Sequence, residues 1–401
     1  MPTLDQELTA RLARLRGENL YRELRQIDSP QSRLVQSQGQ ELLNFSSNDY
    51  LGAANEPSVK EAAIRATGKF GAGCGASRLV CGSLAPHHEL EEHIATFKGV
   101  EAALTFSSGY AAALGAICSI MGTDDIVILD KLVHASLVDA ARLSGAKLRI
   151  YDHNDLAQLE NILQWGAGRS AGADSRMLIV TESVFSMDGD MAPLSEIVAL
   201  KEHYGAWLLV DEAHATGLYG PQRRGLIEEL GLCNQVELQM GTLGKALGSA
   251  GGYLCGSRTV RDYLINRARS FIFSTAPVPA SAAAAQAGIV FVQSGLGEER
   301  RDRLWDHIDS FSNGICSEPW RPQIRGAILP ILLGSEGRAV KVAQSLRQRG
   351  LLIPAIRYPS VPRGAARLRI TLSASHHAGD ISRLIQELTA LLRETELPIG
   401  C

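Results

Sequence analysis

Between residues 99 and 260 the chain alternates short apolar runs with helical stretches, and this constrains the fold more than any other feature. The runs AALTF (102–106), IVILD (126–130), LRIY (148–151), MLIVTE (177–182), WLLVD (207–211), VELQM (236–240) and GYLCG (252–256) have the length and residue types of strands. Helical patterns fill the gaps at 109–121, 134–144, 155–164 and 194–204. Strands buried on both faces and alternating with helices predict an α/β fold built on a mostly parallel sheet of seven strands.

The flanks differ. Leu4, Leu8, Leu12, Leu15 and Leu20 recur among charges, which predicts an amphipathic helix over 4–27, followed by a short strand at LLNF (42–45). Residues 279–315 read as helical. Beyond them AILPILL (327–333), a helix at 337–349, LLIPAI (351–356), RLRIT (367–371) and a helix at 378–394 predict a small α+β domain. The expected division is 1–50 for the N-terminal segment, 51–290 for the large domain and 291–401 for the small one.

Composition narrows the function classes. A net charge of -3 leaves no basic excess for nucleic acid, and 5% aromatic content is poor for stacking bases. The seven cysteines (74, 81, 118, 233, 255, 316 and 401) are odd in number and form no C-x-x-C pair, so neither a disulfide framework nor a metal site is expected. The charged N-terminus lacks the apolar core of a secretory signal, and no run reaches membrane-spanning length. The expectation is a soluble, cytoplasmic protein.

Chemistry should gather at the carboxyl ends of the strands, where α/β sheets bind ligands. Three ends carry unusual residues. After AALTF, Ser107, Ser108 and Gly109 open a helix whose free N–H groups suit an anion, although an ordinary capped helix reads the same way. After WLLV comes Asp211, with His214 just beyond; a carboxylate there can keep a pyridinium nitrogen protonated, and the imidazole can reach a phenolic oxygen. After VELQM, Lys245 stands in GTLGKALGS among small residues that desolvate an amine and favour imine formation. A lone loop-tip lysine would mean little; its place after Asp211 and His214 gives it weight.

Several other motifs fail on spacing or context. VDEAH resembles the box of a DEAH helicase, but no G-x-x-x-x-G-K-[ST] lies upstream. Gly71-x-Gly73-x-x-Ala76 follows a helical stretch (58–69) instead of a strand, and reads better as a close-approach loop. His88 and His93 miss the H-E-x-x-H spacing by one residue and fit a solvated helix face. His376 and His377 sit at a helix start and take no role.

Taken in order, LNFSSNDYLG (43–52), GCGASRLVCGS (73–83), ALTFSSGYAAALG (103–115), LDKLVHASLVDA (129–140), HND (153–155), TESVFSMDGDMAPL (181–194), VDEAHATGLYG (210–220), GTLGKALG (241–248), FIFST (271–275) and RLRIT (367–371) resemble the α-oxoamine synthases, a family of fold-type I pyridoxal-phosphate (PLP) transferases. The resemblance spans nearly the whole chain. It implies that Lys245 holds the cofactor as a Schiff base and removes the substrate's α-proton, that Asp211 partners the pyridine nitrogen, and that His214 contacts the phenolic oxygen. It implies further that His134 stacks on the open ring face and that Glu182 and Ser186 join the cofactor's hydrogen-bonding shell. Ser108, Gly109, Tyr110 and Thr242 would surround the phosphate. Ser274 and Thr275 would reach it from the second subunit of a homodimer with shared active sites.

For substrates, Asn48 and Arg369 resemble the pair that binds the amino-acid carboxylate, bidentate capture being the strength of a guanidinium. Arg367 is the neighbouring candidate, and strand alternation is expected to leave only one of the two facing the site. Arg22 resembles an acyl-binding arginine and is read equally well as a solvated helix charge. Ser360 stands where the family often has threonine. The implied reaction is decarboxylative condensation of L-alanine with a pimeloyl thioester, carried by CoA or acyl-carrier protein, in biotin biosynthesis. Glycine C-acetyltransferase and serine palmitoyltransferase are the alternatives within the family. VDEAHATG favours the alanine enzyme over the acetyltransferase. An aminotransferase, or a binding protein without activity, is the reading from outside it.

Overall fold

A computed structural model describes residues 1–170, 175–315 and 326–394, so Cys316 and Cys401 lie outside the described residues. The chain divides into two compact units, one of residues 53–186 and 191–299, the other of residues 1–52, 187–190 and 300–401.

The second unit opens with strands β1 (Leu34–Ser37) and β2 (Gln40–Asn44), which pair antiparallel. The first unit holds β3 (Ala102–Phe106), β4 (Ile126–Asp130), β5 (Lys147–Tyr151), β6 (Met177–Glu182), β7 (Trp207–Asp211), β8 (Leu238–Thr242) and β9 (Gly252–Gly256). These form one sheet in the order β3-β9-β8-β7-β6-β4-β5, in which only β9 runs antiparallel to its neighbours. β3, β4 and β6 are buried at every residue, as continuous apolar runs require, while the edge strand β5 exposes Lys147, Arg149 and Ile150.

One strand is displaced from its expected position. β8 covers Leu238–Thr242 instead of 236–240, because Gly241 and Thr242 continue the pairing with Tyr253 and Gly252. Glycine at 252 is demanded by packing, since a Cβ there would lie 2.6 Å from the backbone of Ser108 and Gly109.

Strands β10 (Ile328–Gly334), β11 (Leu351–Leu352), β12 (Ala355–Ile356) and β13 (Ala366–Thr371) return to the second unit. The run LLIPAI is not one strand: Pro354 interrupts it, so β11 pairs with β2 while β12 pairs with β13. The N-terminal helix is also shorter than expected. It spans Leu4–Gly17, with Asn19 at a φ of 57° just past its end, and its leucines are exposed. Leu20 falls outside it and is buried.

His376 has a structural place in this unit. Its Nδ1 accepts from the Ser373 backbone N–H (3.1 Å), its Nε2 meets the Asn44 carbonyl (3.0 Å), and its ring stacks on Phe45. Burial pushes its pKa down to about 4, so it is neutral at pH 7.

Candidate active site

The carboxyl ends of β6, β7 and β8 present Glu182, Asp211 and Thr242. With Gly109, Tyr110, His134, His214 and Lys245 they line one cavity of about 190 Å³. The structure therefore gathers residues that the sequence spreads over more than 130 positions. Ser136, Ala213 and Met240 complete the lining. Sequence reasoning missed all three, and only Ser136, two residues after His134 at a helix start, could have been sought as a cap.

Each side chain is placed by local structure. Asp211 ends a buried strand and is 5% exposed; its Oδ1 accepts from the Ala213 backbone N–H at 2.9 Å. Burial raises its pKa, and the Lys245 charge and the Ala213 N–H pull it back down. Lys245 follows β8 in the small-residue loop, and its Nζ donates to Thr242 Oγ1 at 2.9 Å. His134 caps the helix Ala135–Leu143: its Nδ1 accepts from the Ser136 backbone N–H (3.2 Å) and lies 2.8 Å from Ser136 Oγ. Burial lowers its pKa, against the pull of Asp211, so the ring is neutral and carries its proton on Nε2.

This donor set fits pyridoxal phosphate. An amine is present for the aldehyde, a buried carboxylate for the ring nitrogen, and a flat neutral imidazole for the ring face. The helix Gly109–Ile120 offers its N-terminus to a phosphate. A Cβ at Gly109 would sit 2.7 Å from Thr242 Cγ2, so only glycine leaves that end of the cavity open.

Other predicted residues stand elsewhere. Ser108 does not line the cavity; its Oγ accepts from the Ala111 N–H (3.1 Å) and caps the helix. Ser186 is buried and does not line it either, but its backbone N–H donates to the Glu182 carboxyl group. Ser274 and Thr275 are also outside the lining; Thr275 bridges to Ser77.

In the second unit, Arg22 Nη2 donates to the carbonyls of Tyr358 (2.9 Å) and Arg357 (3.4 Å) and lines a groove of about 580 Å³ with Arg25 and Arg357. Ser360 is exposed, with its N–H on the Arg357 carbonyl (3.0 Å). Arg369 Nη1 donates to Asn48 Oδ1 (3.0 Å) and Thr371 Oγ1 (3.1 Å). The expectation that alternation admits only one of Arg367 and Arg369 is wrong. They are two residues apart on β13 and share a face, because side chains alternate with a period of two. Their partners differ: Arg367 is ion-paired with Asp188, and Arg369 donates to the Asn48 and Thr371 side-chain oxygens.

A buried pair behind Asp211 was also missed. Lys98 Nζ lies 2.5 Å from Glu212 Oε2 and from the Arg224 carbonyl, and the side chains are 1% and 0% exposed. Glu212 Oε1 also accepts from the Ile227 N–H (3.0 Å). Burial alone would lower the Lys98 pKa; the Glu212 carboxylate reverses this and raises it. The pair anchors the residue next to Asp211. Lys98→Met should destabilise the protein by about 3–5 kcal/mol in denaturant unfolding, because Glu212 is left buried and unpaired. Adding Glu212→Gln should recover a large part of that loss.

Residues 40–388 match the aminotransferase class I and II family. The 8-amino-7-oxononanoate synthase of Geotalea daltonii is 44% identical over 402 residues, covering 100% of both chains. Among solved structures, a serine palmitoyltransferase variant from S. paucimobilis, with bound PLP-myriocin aldimine, superposes with a TM-score of 0.89 at 29% identity over 98% of this chain and 99% of that one. The 8-amino-7-oxononanoate synthase of Francisella tularensis gives 0.74 at 26%, over 89% and 99%. The chain belongs to the class I and II aminotransferase family, among the fold-type I pyridoxal-phosphate enzymes that include the 8-amino-7-oxononanoate synthases.

Proposed function

We propose that this protein condenses L-alanine with a pimeloyl thioester, giving 8-amino-7-oxononanoate, CO₂ and the free thiol carrier, as a step of biotin biosynthesis. The observation that carries the reading is the convergence of Lys245, Asp211, His134 and His214 in one cavity of a chain 44% identical, end to end, to synthases of that name. Backbone likeness to serine palmitoyltransferase is high, but its 29% identity makes it the weaker guide to substrate.

When bound, pyridoxal phosphate supplies an electron sink for the pair left at the amino acid's α-carbon. Lys245, Asp211, His134, His214 and Thr242 would hold it, with Gly109 and Tyr110 at the helix start. The Lys245 amine takes the α-proton and returns one later. Asp211 would keep a proton on the ring nitrogen, and His214 would bind the phenolic oxygen. His134, a neutral ring lining the cavity, would cover the reacting face and keep water from it. Arg369, with Asn48, is suited to the amino-acid carboxylate, and Arg22 and Ser360 to the acyl substrate. The protein acts as a cytoplasmic homodimer, with Ser274 and Thr275 serving the partner's phosphate. Among the described residues no helix is long and apolar enough to cross a membrane.

The test is a panel of L-alanine, glycine and L-serine against pimeloyl-, acetyl-, succinyl- and palmitoyl-CoA, following CoA release. Alanine with pimeloyl-CoA should have the highest kcat/KM. Faster turnover of glycine with acetyl-CoA, or of serine with palmitoyl-CoA, would overturn the assignment.

A further inference from the structure

Three acidic residues, Glu182, Asp211 and Glu212, crowd the ends of β6 and β7, and all are at least 95% buried. Glu182 and Asp211 are register partners on adjacent parallel strands, so their side chains leave the sheet on the same face about 5 Å apart at the backbone. Glu212 is neutralised by Lys98. Among the described residues that line the cavity, Lys245 is the one lysine or arginine facing the remaining two carboxyl groups. Two buried carboxylates opposite one ammonium leave a net negative charge, which a site shielded from water resists.

Glu182 differs from Asp211 in what it touches. The His134 backbone N–H donates to Glu182 Oε1 at 2.5 Å, and the Ser186 backbone N–H donates to the same carboxyl group. It is thus bonded to the two segments that carry His134 and Ser186. We propose that Glu182 is a protonated, neutral positioning residue, which fixes the His134 and Ser186 backbones while Asp211 remains the single negative charge of the cavity.

The surroundings of Glu182 favour that state on balance. Burial disfavours its anion most, and Asp211 adds like-charge repulsion. The two N–H donors and Lys245 work the other way without prevailing. His134 is neutral, and His214 lies across the same cavity. Asp130, on the other side of β6, is engaged by His153 Nδ1 (2.9 Å) and by the backbone N–H groups of Leu132 (2.8 Å) and Asn154 (2.9 Å). A neutral Glu182 leaves Lys245 and Asp211 balanced before the cofactor enters. It also reserves Asp211 for the ring nitrogen, which is the one point where the inference rests on the proposed chemistry.

The sign of a pH effect tests it without turnover. A carboxyl group protonated in the folded protein and ionised in the unfolded one makes folding take up a proton. Stability is then full below the unfolded pKa and falls as pH rises. Glu182→Gln removes that loss. In the full-length holoenzyme, the melting temperature of Glu182→Gln relative to the parent should rise by at least about 2 °C between pH 5 and pH 8. Infrared difference spectra at pH 7 should show a protonated-carboxyl band that vanishes in the variant. Glu182→Ala should weaken cofactor affinity at least about tenfold, and Gln at this position should restore most of it. A Gln variant less stable than the parent, most so at pH 8, would overturn the proposal, as would loss of a carboxylate band instead. These readouts involve no acyl substrate, so a failed substrate assignment leaves them standing.

Discussion

Lys245→Ala should lower turnover of alanine with pimeloyl-CoA at least about a thousand-fold while the protein stays folded. On the proposed mechanism two functions are lost together: the covalent anchor of the cofactor and the base that moves the α-proton, the latter alone being typically worth about 10²–10⁴. The fold should survive because Lys245 is only partly buried and its Nζ donates to the Thr242 hydroxyl, which can turn to water. Asp211 loses a stabilising charge, and its pKa, already raised by burial, should climb further. The measurements are CoA release, the visible absorbance of the lysine-linked cofactor, and thermal unfolding. Partial recovery with added methylamine would tie the loss to the missing amine. Full activity in the variant would remove Lys245 from the mechanism.

How much of this was legible in the sequence follows from the physics of each element. Strands β3, β4, β6, β7 and β9 are bounded as expected because buried strands of a mostly parallel sheet are nearly uninterrupted apolar runs. β8 slipped by two residues because Gly241 and Thr242 belong to the strand through pairing, not through propensity. LLIPAI misled because an apolar run does not say which sheet each half joins. The cavity residues were legible where they follow strand ends, as Asp211 and Lys245 do. Lys98 and Glu212 were not: they are 114 positions apart, and a lysine at a helix end normally reads as solvated. The Arg367 and Arg369 error was one of register arithmetic, and only their partners distinguish them. Glu182 was expected beside the cofactor, and its contacts to backbone N–H groups appear only in three dimensions.

Asp211→Asn should separate chemistry from stability more sharply than any other substitution in the cavity. The amide matches the carboxylate in shape, and its oxygen can still accept from the Ala213 N–H, now 2.9 Å away. What disappears is the charge that, on the proposed mechanism, keeps a proton on the ring nitrogen, and with it the depth of the electron sink. Removing a single preorganised electrostatic contact, such as one oxyanion-hole donor, typically costs about 10²–10³ in kcat, and a loss of that order is expected here. Stability should move the other way. Burial raises the Asp211 pKa despite Lys245, so the native protein loses stability as pH rises from the unfolded pKa through the folded one. Asparagine does not titrate and escapes that loss. The variant should therefore melt no lower than the parent at pH 7, and its relative advantage should grow from acid to neutral pH. It should also release Glu182 from the like charge on the next strand, lowering the Glu182 pKa and shrinking the pH-dependent gap between the Glu and Gln forms at position 182. If Asp211→Asn instead melts well below the parent with kcat preserved, Asp211 is a structural carboxylate and not the partner of the ring nitrogen.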